Sequence, residues 1–481
     1  MPELILQSLP YQRDSSDLIR YIATLPGAAC LDSGLGDQAE GRYDILTALP
    51  NCQLRLRTDS NQSFLEQRHH NQNSWQKMPA QTCIFAAADA LLQQDNPARS
   101  VVAKLTHLPF CGGVIACFGY ESASTGPIPV RTDELGSILQ QTATTLCGLY
   151  QWAIVVDHQT GKTALFVLPE CPDEIRQRVM QHLPRFGSDK TGAAIVGEDF
   201  NLLEPFQAQL SASQYRVAFD KLKEWIYAGD CYQANLAIPF VANYSGEPVN
   251  AYLRLRQGSR SPFSAFIDTG DAQILSVSPE RFICVEDRGV VTQPIKGTRK
   301  RSHDPAIDKQ LSDELQASEK DRAENLMIVD LLRNDLGSVC ETGSVQTQDL
   351  FKLHSFTQVH HLISTITGKL PLHVSPLSLL KRCFPGGSIT GAPKIRAMQI
   401  IAELEPLPRA VYCGSIAYSD YRGRMDSSIS IRTLLCSQDH IFCWGGGGIV
   451  ADSELASEYC EAHDKVSALL KLVSTQPDSE I

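Results

Sequence analysis

Several familiar signatures are missing from this 481-residue sequence, and each absence removes a class of function. No run of about 18 uninterrupted apolar residues occurs, so no membrane-spanning helix is expected. The opening stretch, MPELILQSLPYQRDSSD, has neither a basic segment nor a long apolar one. No secretory signal is visible in it, and a cytoplasmic protein is expected. Cysteine occurs 15 times but never as CxxC. Scattered in this way, the thiols read as small buried hydrophobes rather than zinc ligands or a disulfide framework. Positive charge is in deficit, with 43 Lys and Arg against 54 Asp and Glu and a net charge of -11. So acidic a chain is repelled by a phosphate backbone, which argues against nucleic acid as a main partner. Neither GxGxxG nor a Walker sequence is present, so no nucleotide is implied.

What remains is an ordinary globular composition, 43% hydrophobic and 20% charged, in a chain long enough for two lobes. Residues 1 to about 185 alternate short β-rich runs with turns, and helices are expected near 84–95 and 172–183. YQWAIVVDHQTGKTALFVL reads as a hairpin around residues 158–161. The weakly periodic stretch 186–212 is the expected boundary, separating an N-terminal region (1–190) from a C-terminal region (210–475). In the C-terminal region, SASQYRVAFDKLKEWIYAG predicts a capped amphipathic helix stopped by Gly229. CYQANLAIPFVA predicts a strand. AQILSVSPERFICVE and GVVTQPIKGT predict paired strands. SEKDRAENLMIVDLLRNDLG predicts a helix ending at Gly337, and FTQVHHLISTITGKL reads equally as helix or strand. GSITGAPKIRAMQIIAELEP predicts a turn entering a helix with Pro393 near its first turn. VYCGSIAYSD and SSISIRTLLCSQDHIFCWGGGGIVA predict strands, and SELASEYCEAHDKVSALLKLV a last helix. Helices and largely antiparallel strands without a βαβ rhythm predict an α+β fold.

Four constellations could carry chemistry. Asp321 and Glu324 share one helix face, as do Glu458 and Glu461 on the last helix. They are either solvated helix faces or two carboxylate pairs that share a hard cation such as Mg2+. WGGGGIVADSE, with Gly446, Gly447 and Gly448, reads as a turn between strand and helix. It is either a tight turn or a place where amide N–H groups meet an anion. Arg432 sits among apolar residues in SISIRTLL and reads as a buried strand arginine that needs a carboxylate, from the protein or from a ligand. His361 reads as a satisfied interior histidine. Lys296, in TQPIKGTRKRS, is a surface charge unless burial or a neighbouring cation lowers its pKa enough to make it a nucleophile. Glu280, sixteen residues earlier in SPERF, would then reach it across a hairpin as an acid/base partner.

Taken together, PIKGT, SPERF, DRAENLMIVDLLRNDLG, GGSITGAPKIRAM, SISIRT and GGGIVADSELASEYCEAHDK resemble the chorismate-utilising enzymes. That family includes the anthranilate, aminodeoxychorismate, isochorismate and salicylate synthases. The resemblance is dense over 212–475 and thinner over 30–170. It implies a four-layer α/β/β/α fold of two packed, mainly antiparallel sheets with outer helices. Lys296 stands where anthranilate synthases have alanine, and its PIKGT matches the aminodeoxychorismate branch. Gln233 stands where the water-using branches carry a base lysine, and Asn235 also matches the aminodeoxychorismate type. The resemblance then implies amination of chorismate at C4 through a Lys296-bound intermediate, with Glu280 moving protons. It implies Mg2+ held by Glu324 and Glu461, with Asp321 and Glu458 in support. Tyr412, Arg432 and the amides of Gly446, Gly447 and Gly448 would bind a carboxylate, with Lys465 adding charge. Ser388 and His361 match positions near the ring hydroxyl. In the anthranilate branch His361's counterpart is linked to pyruvate loss. A separate glutamine amidotransferase subunit supplying ammonia is implied. Ser33, Glu40, Gly41, Arg42 and Tyr43, with Pro262, Phe263 and Ser264, match a tryptophan pocket, or else a loop packed on the core. Two alternatives are an anthranilate synthase large subunit and a silent tryptophan-binding subunit.

Overall fold

A computed structural model describes residues 2–34, 41–59, 62–79, 82–94, 96–123, 133–186, 198–356 and 359–474. Two antiparallel sheets form its centre, one of thirteen and one of twelve described strands. Both draw on early and late stretches of the chain. In the first sheet Ala29–Asp32 pairs with Phe263–Asp268, and Gln233–Ser245 pairs along its length with His440–Ile449. In the second, Gly113–Phe118 pairs with Ser415–Asp420.

Strand Gln233–Ser245 shows why the sheets stack. Leu236, Ile238, Phe240 and Ala242 pack toward a helical layer, while Ala237 and Val241 enter the core between the sheets. With both faces covered, the strand is apolar almost throughout, and alternation is lost. Helices Ala212–Ala228, Pro248–Ser259, Lys394–Leu404 and Leu455–Ser474 cover the first sheet, whereas Ile84–Gln94 and Glu319–Gly337 cover the second. The layers are therefore α/β/β/α. No helix among the described residues is long and apolar enough to cross a membrane. Most described cysteines are buried and all are free, as their scatter predicts; Cys460 is exposed.

Local signals explain several boundaries. Ser211 and Gln214 form a reciprocal capping box at the start of Ala212–Ala228, and Gly229 ends that helix at φ +85°. Such an N-cap contributes about 1 kcal/mol. Residues 359–369, ambiguous in sequence, form a strand whose β-branched residues pack on both faces. AQILSVSPERFICVE is not one strand. It breaks at Pro279 and Glu280, so that Ala272–Ser278 lies in the first sheet and Arg281–Glu286 in the second.

Candidate active site

The sheet crossing at Pro279 and Glu280 opens onto a cleft of about 580 Å3. Lys296 reaches it from strand Ile295–Lys300. Its neighbour Gly297 makes a bulge against strand Val359–Lys369, between the pairs Lys296–Leu362 and Thr298–His361. Gly297 sits at φ +79°, and a Cβ there would lie 2.9 Å from Leu315 Cδ1, so the position requires glycine. The bulge aims Lys296 inward, where its Nζ donates to the Ser388 carbonyl at 3.4 Å. Desolvation and, less strongly, Lys465 pull its pKa below the usual lysine range against the opposing charges of Glu280 and Glu324.

Glu280 is buried, and Ser388 Oγ donates to its Oε1 at 3.4 Å. Burial pushes its pKa up to about 7, opposed chiefly by Lys296. The hairpin Arg281–Glu286 with Gly289–Thr292 brings the two together, as the spacing predicts. Ser388 touches both, through its carbonyl and its hydroxyl. His361, also buried, shares a 2.9 Å hydrogen bond between Nδ1 and Thr298 Oγ1. Burial lowers its pKa to about 4, so it presents a neutral imidazole.

Gln233, Asn235, Tyr412, Arg432, Gly446, Gly448, Lys465 and all four acidic candidates line the same cleft. Two expectations are corrected. The four glycines make no turn between strand and helix: Gly445 to Gly448 lie inside strand His440–Ile449. Their paired neighbours still free some amides. Ala237 N donates to Glu405 Oε1 and Asn235 N to Thr390 O, both away from that strand. Gly446 and Gly448, opposite them, therefore form non-hydrogen-bonded pairs and turn their N–H and C=O groups the other way. On that side strand Thr433–Ser437 has already ended, leaving an open ladder edge at the cleft. Gly447 alternates to the face of the last helix, where a Cβ would be 3.1 Å from Glu458 Oε2. Arg432 is likewise outside any strand. It lies between Met425–Ile429 and Thr433–Ser437 at φ +51°, exposed to the cleft, with no carboxylate partner among the described residues. The connection between the two sheets ends the strand early and turns the side chain out.

The acidic groups are not equivalent. Glu461 is held by Lys465 at 2.6 Å, and Glu458 accepts from Ser453 Oγ at 2.7 Å. Burial pushes the Glu324 and Glu458 carboxyls up, and the charge of Glu461 adds to both. Asp321 spends an oxygen on Arg299 at 3.3 Å. Among the described residues no three His, Cys, Asp or Glu side chains are gathered closely enough to hold a metal as they stand. Three carboxylates on one wall, two of them pushed up by burial and by the charge of Glu461, fit a hard cation that a ligand oxygen helps to coordinate. Thr298, Lys320 and Trp444 line the cleft too; each lies inside a motif quoted above, but the sequence assigns none of them a role.

A second cavity, about 730 Å3, lies between the sheets. Arg42, Tyr43, Pro262, Phe263 and Ser264 line it, together with Asp32, Arg281 and Tyr418. Arg42 pairs with Asp157 at 2.8 Å and lies over the Tyr43 ring. Ser33 donates to Asp44 at 2.7 Å and is outside the lining, while Gly41 packs against the Ser33 carbonyl. Glu40 lies outside the described residues.

The family profile described as chorismate binding enzyme matches residues 36–471. Aminodeoxychorismate synthase component 1 of Klebsiella aerogenes is 40% identical over 468 residues, covering 96% of this chain and 97% of that protein. The protein of the same name from Escherichia coli K12 gives the same identity and coverage. The crystal structure of anthranilate synthase component I from Streptococcus pneumoniae TIGR4 superposes with a TM-score of 0.73 at 30% identity, covering 89% of this chain and 92% of that one.

Proposed function

The chain belongs to the chorismate binding enzymes, and from that premise we propose that it converts chorismate and ammonia to 4-amino-4-deoxychorismate, a precursor of 4-aminobenzoate and folate. The observation that carries this reading is the placement of Lys296. A lysine amine is desolvated beside a buried carboxyl that holds its proton to about pH 7. The neutral amine adds at ring C2, both ring double bonds shift, and the 4-hydroxyl leaves as water with a proton from Glu280. Ammonia then adds at C4, both double bonds return, and the C2–N bond breaks to release Lys296. Glu280 takes the proton that the incoming nitrogen sheds. One hard displacement becomes two easier ones, and nitrogen is directed to C4.

Arg432, Tyr412 and the edge amides of Gly446 and Gly448 support binding of a substrate carboxylate, with Lys465 close by. Gln233 and Asn235 complete that wall, and Gln233, unlike a lysine, cannot act as a base on water. Glu324, Glu458 and Glu461 would hold Mg2+, with Asp321 behind them; when bound, the ion neutralises a second substrate carboxylate. Neutral His361 and Ser388 flank the place of the leaving hydroxyl. The ammonia is supplied by a separate glutamine amidotransferase subunit, in keeping with the "component 1" in the relatives' names. The between-sheet cavity, with Tyr43, Phe263 and Ser264 on its walls, suits tryptophan.

Mass spectrometry of the products from chorismate, ammonium and Mg2+ tests the proposal. The expected product is 4-amino-4-deoxychorismate, and Lys296→Ala should abolish it. Anthranilate as the sole product would overturn the reading in favour of the activity named for the Streptococcus relative.

A further inference from the structure

Behind the cleft lies a buried ion pair that the proposed chemistry does not use. Arg409 and Glu405 are both buried, and each is four residues from the other. Arg409 Nε donates to Glu405 Oε2 at 2.9 Å and its NH2 to Oε1 at 2.6 Å, a bidentate pairing. The remaining donors reach the short helical turn Gly387–Ile389 and the strand Gln233–Ser245. NH1 donates to the Ile389 carbonyl at 3.0 Å, and NH2 also to the Asn235 carbonyl at 2.8 Å. The Asn235 side-chain oxygen lies 3.3 Å from the same nitrogen. The guanidinium is 5.7 Å from the Tyr412 ring centroid. From the early half of the chain, half-buried Glu121 accepts the Arg409 amide at 2.8 Å.

One side chain thus ties two separate segments of the cleft wall, those carrying Asn235 and Ser388 with Ile389, to its own segment, which carries Tyr412. We propose that Arg409, oriented by Glu405, is a positioning residue for the reaction in this cleft: its fork fixes the Ser388 segment so that the carbonyl meets Lys296 while the hydroxyl meets Glu280. This inference rests on the proposed amination. The planar guanidinium is essential to it, because an ammonium has no fixed fork with which to span two carbonyls and a carboxylate. A buried pair is a poor source of stability compared with apolar packing, so its satisfied network is better explained by the geometry it enforces.

The test uses the full chain with Arg409→Lys, which keeps the charge and removes the fork. A double variant, Glu405→Met with Arg409→Met, replaces the pair by apolar side chains. Steady-state kinetics with chorismate, ammonium and Mg2+ are combined with amide hydrogen exchange of the free protein. In both variants kcat should fall roughly tenfold or more, while KM for chorismate moves less than about threefold. Exchange should quicken in segments 233–238 and 386–392 and stay unchanged in the distant strands at 152–167. Wild-type kcat with wild-type exchange in a folded variant overturns the proposal. So does faster exchange throughout the chain, which marks a general structural role, or failure of both variants to fold. If the wild type forms no aminodeoxychorismate, the functional reading falls, and the exchange pattern still decides whether Arg409 holds these segments.

Discussion

Glu280 shows how much one residue can be made to do by its surroundings. Its carboxyl holds a proton to about pH 7 because it is buried, and that has a stability consequence with a definite sign. Below about pH 4 the group is protonated folded or unfolded, and burial costs nothing through ionisation. Above that, the unfolded chain releases the proton freely while the folded one retains it, so the penalty grows until about pH 7 and is constant beyond. Glu280→Gln should therefore stabilise the protein by on the order of 2–3 kcal/mol at pH 8 and not at pH 4, while removing activity. Denaturant unfolding at the two pH values checks this; equal effects at both would sink it. Lys296, Glu280 and the four acidic residues are legible in the sequence through the motifs that resemble the family; their spacing alone reads equally as a surface lysine and solvated helix faces. Arg409 is not, since an i,i+4 Glu–Arg pair reads the same on a solvated helix face as behind a cleft. Nor is the left-handed backbone at Arg432, which depends on where its strand must stop.

At the scale of elements, the last helix matters through how closely it lies on the sheet. A Cβ at Gly445 would sit 2.1 Å from the Ala462 backbone carbonyl, so glycine there sets the spacing between strand and helix. Leu455–Ser474 carries Glu458 and Glu461. Gly445→Ala should push that helix outward, destabilising the chain by about 1–3 kcal/mol. It should also raise the Mg2+ concentration for half-maximal activity several-fold. A magnesium titration unchanged from wild type would separate helix spacing from ion binding. The helix itself is plain from its apolar stripe, and the capping of Ala212–Ala228 obeys local rules. The glycine run reads as a turn in sequence for a physical reason. A strand rich in glycine has no β-propensity to announce it, and only the long pairing with Gln233–Ser245 reveals it.

The whole molecule is interleaved in a way that composition cannot show. Each sheet is built from strands before residue 190 and after residue 210, and the Glu121 carboxylate reaches across to Arg409. A fragment of residues 210–475 would leave Phe263–Asp268 without Ala29–Asp32 and Ser415–Asp420 without Gly113–Phe118. Expressed alone, it should lack a cooperative thermal transition and bind no chorismate. Calorimetry of the fragment against the full chain is the check, and a cooperative melt would show that the late region is self-sufficient. Even the weakly periodic stretch 186–212 contributes Asn201–Leu202 and Gln207–Ala208 to the first sheet. Sequence periodicity gives strands but not their partners, which is why the intertwining is not legible.

A sheet that stops pairing midway, as this one does beside Gly446 and Gly448, usually risks recruiting a strand from another chain. Here the unpaired stretch faces inward onto a cleft, where a small acid can accept its amides and finish the ladder. On the proposed reading the ligand would act as a surrogate strand, and the protein would gain a recognition surface from the very place its β-structure was left incomplete.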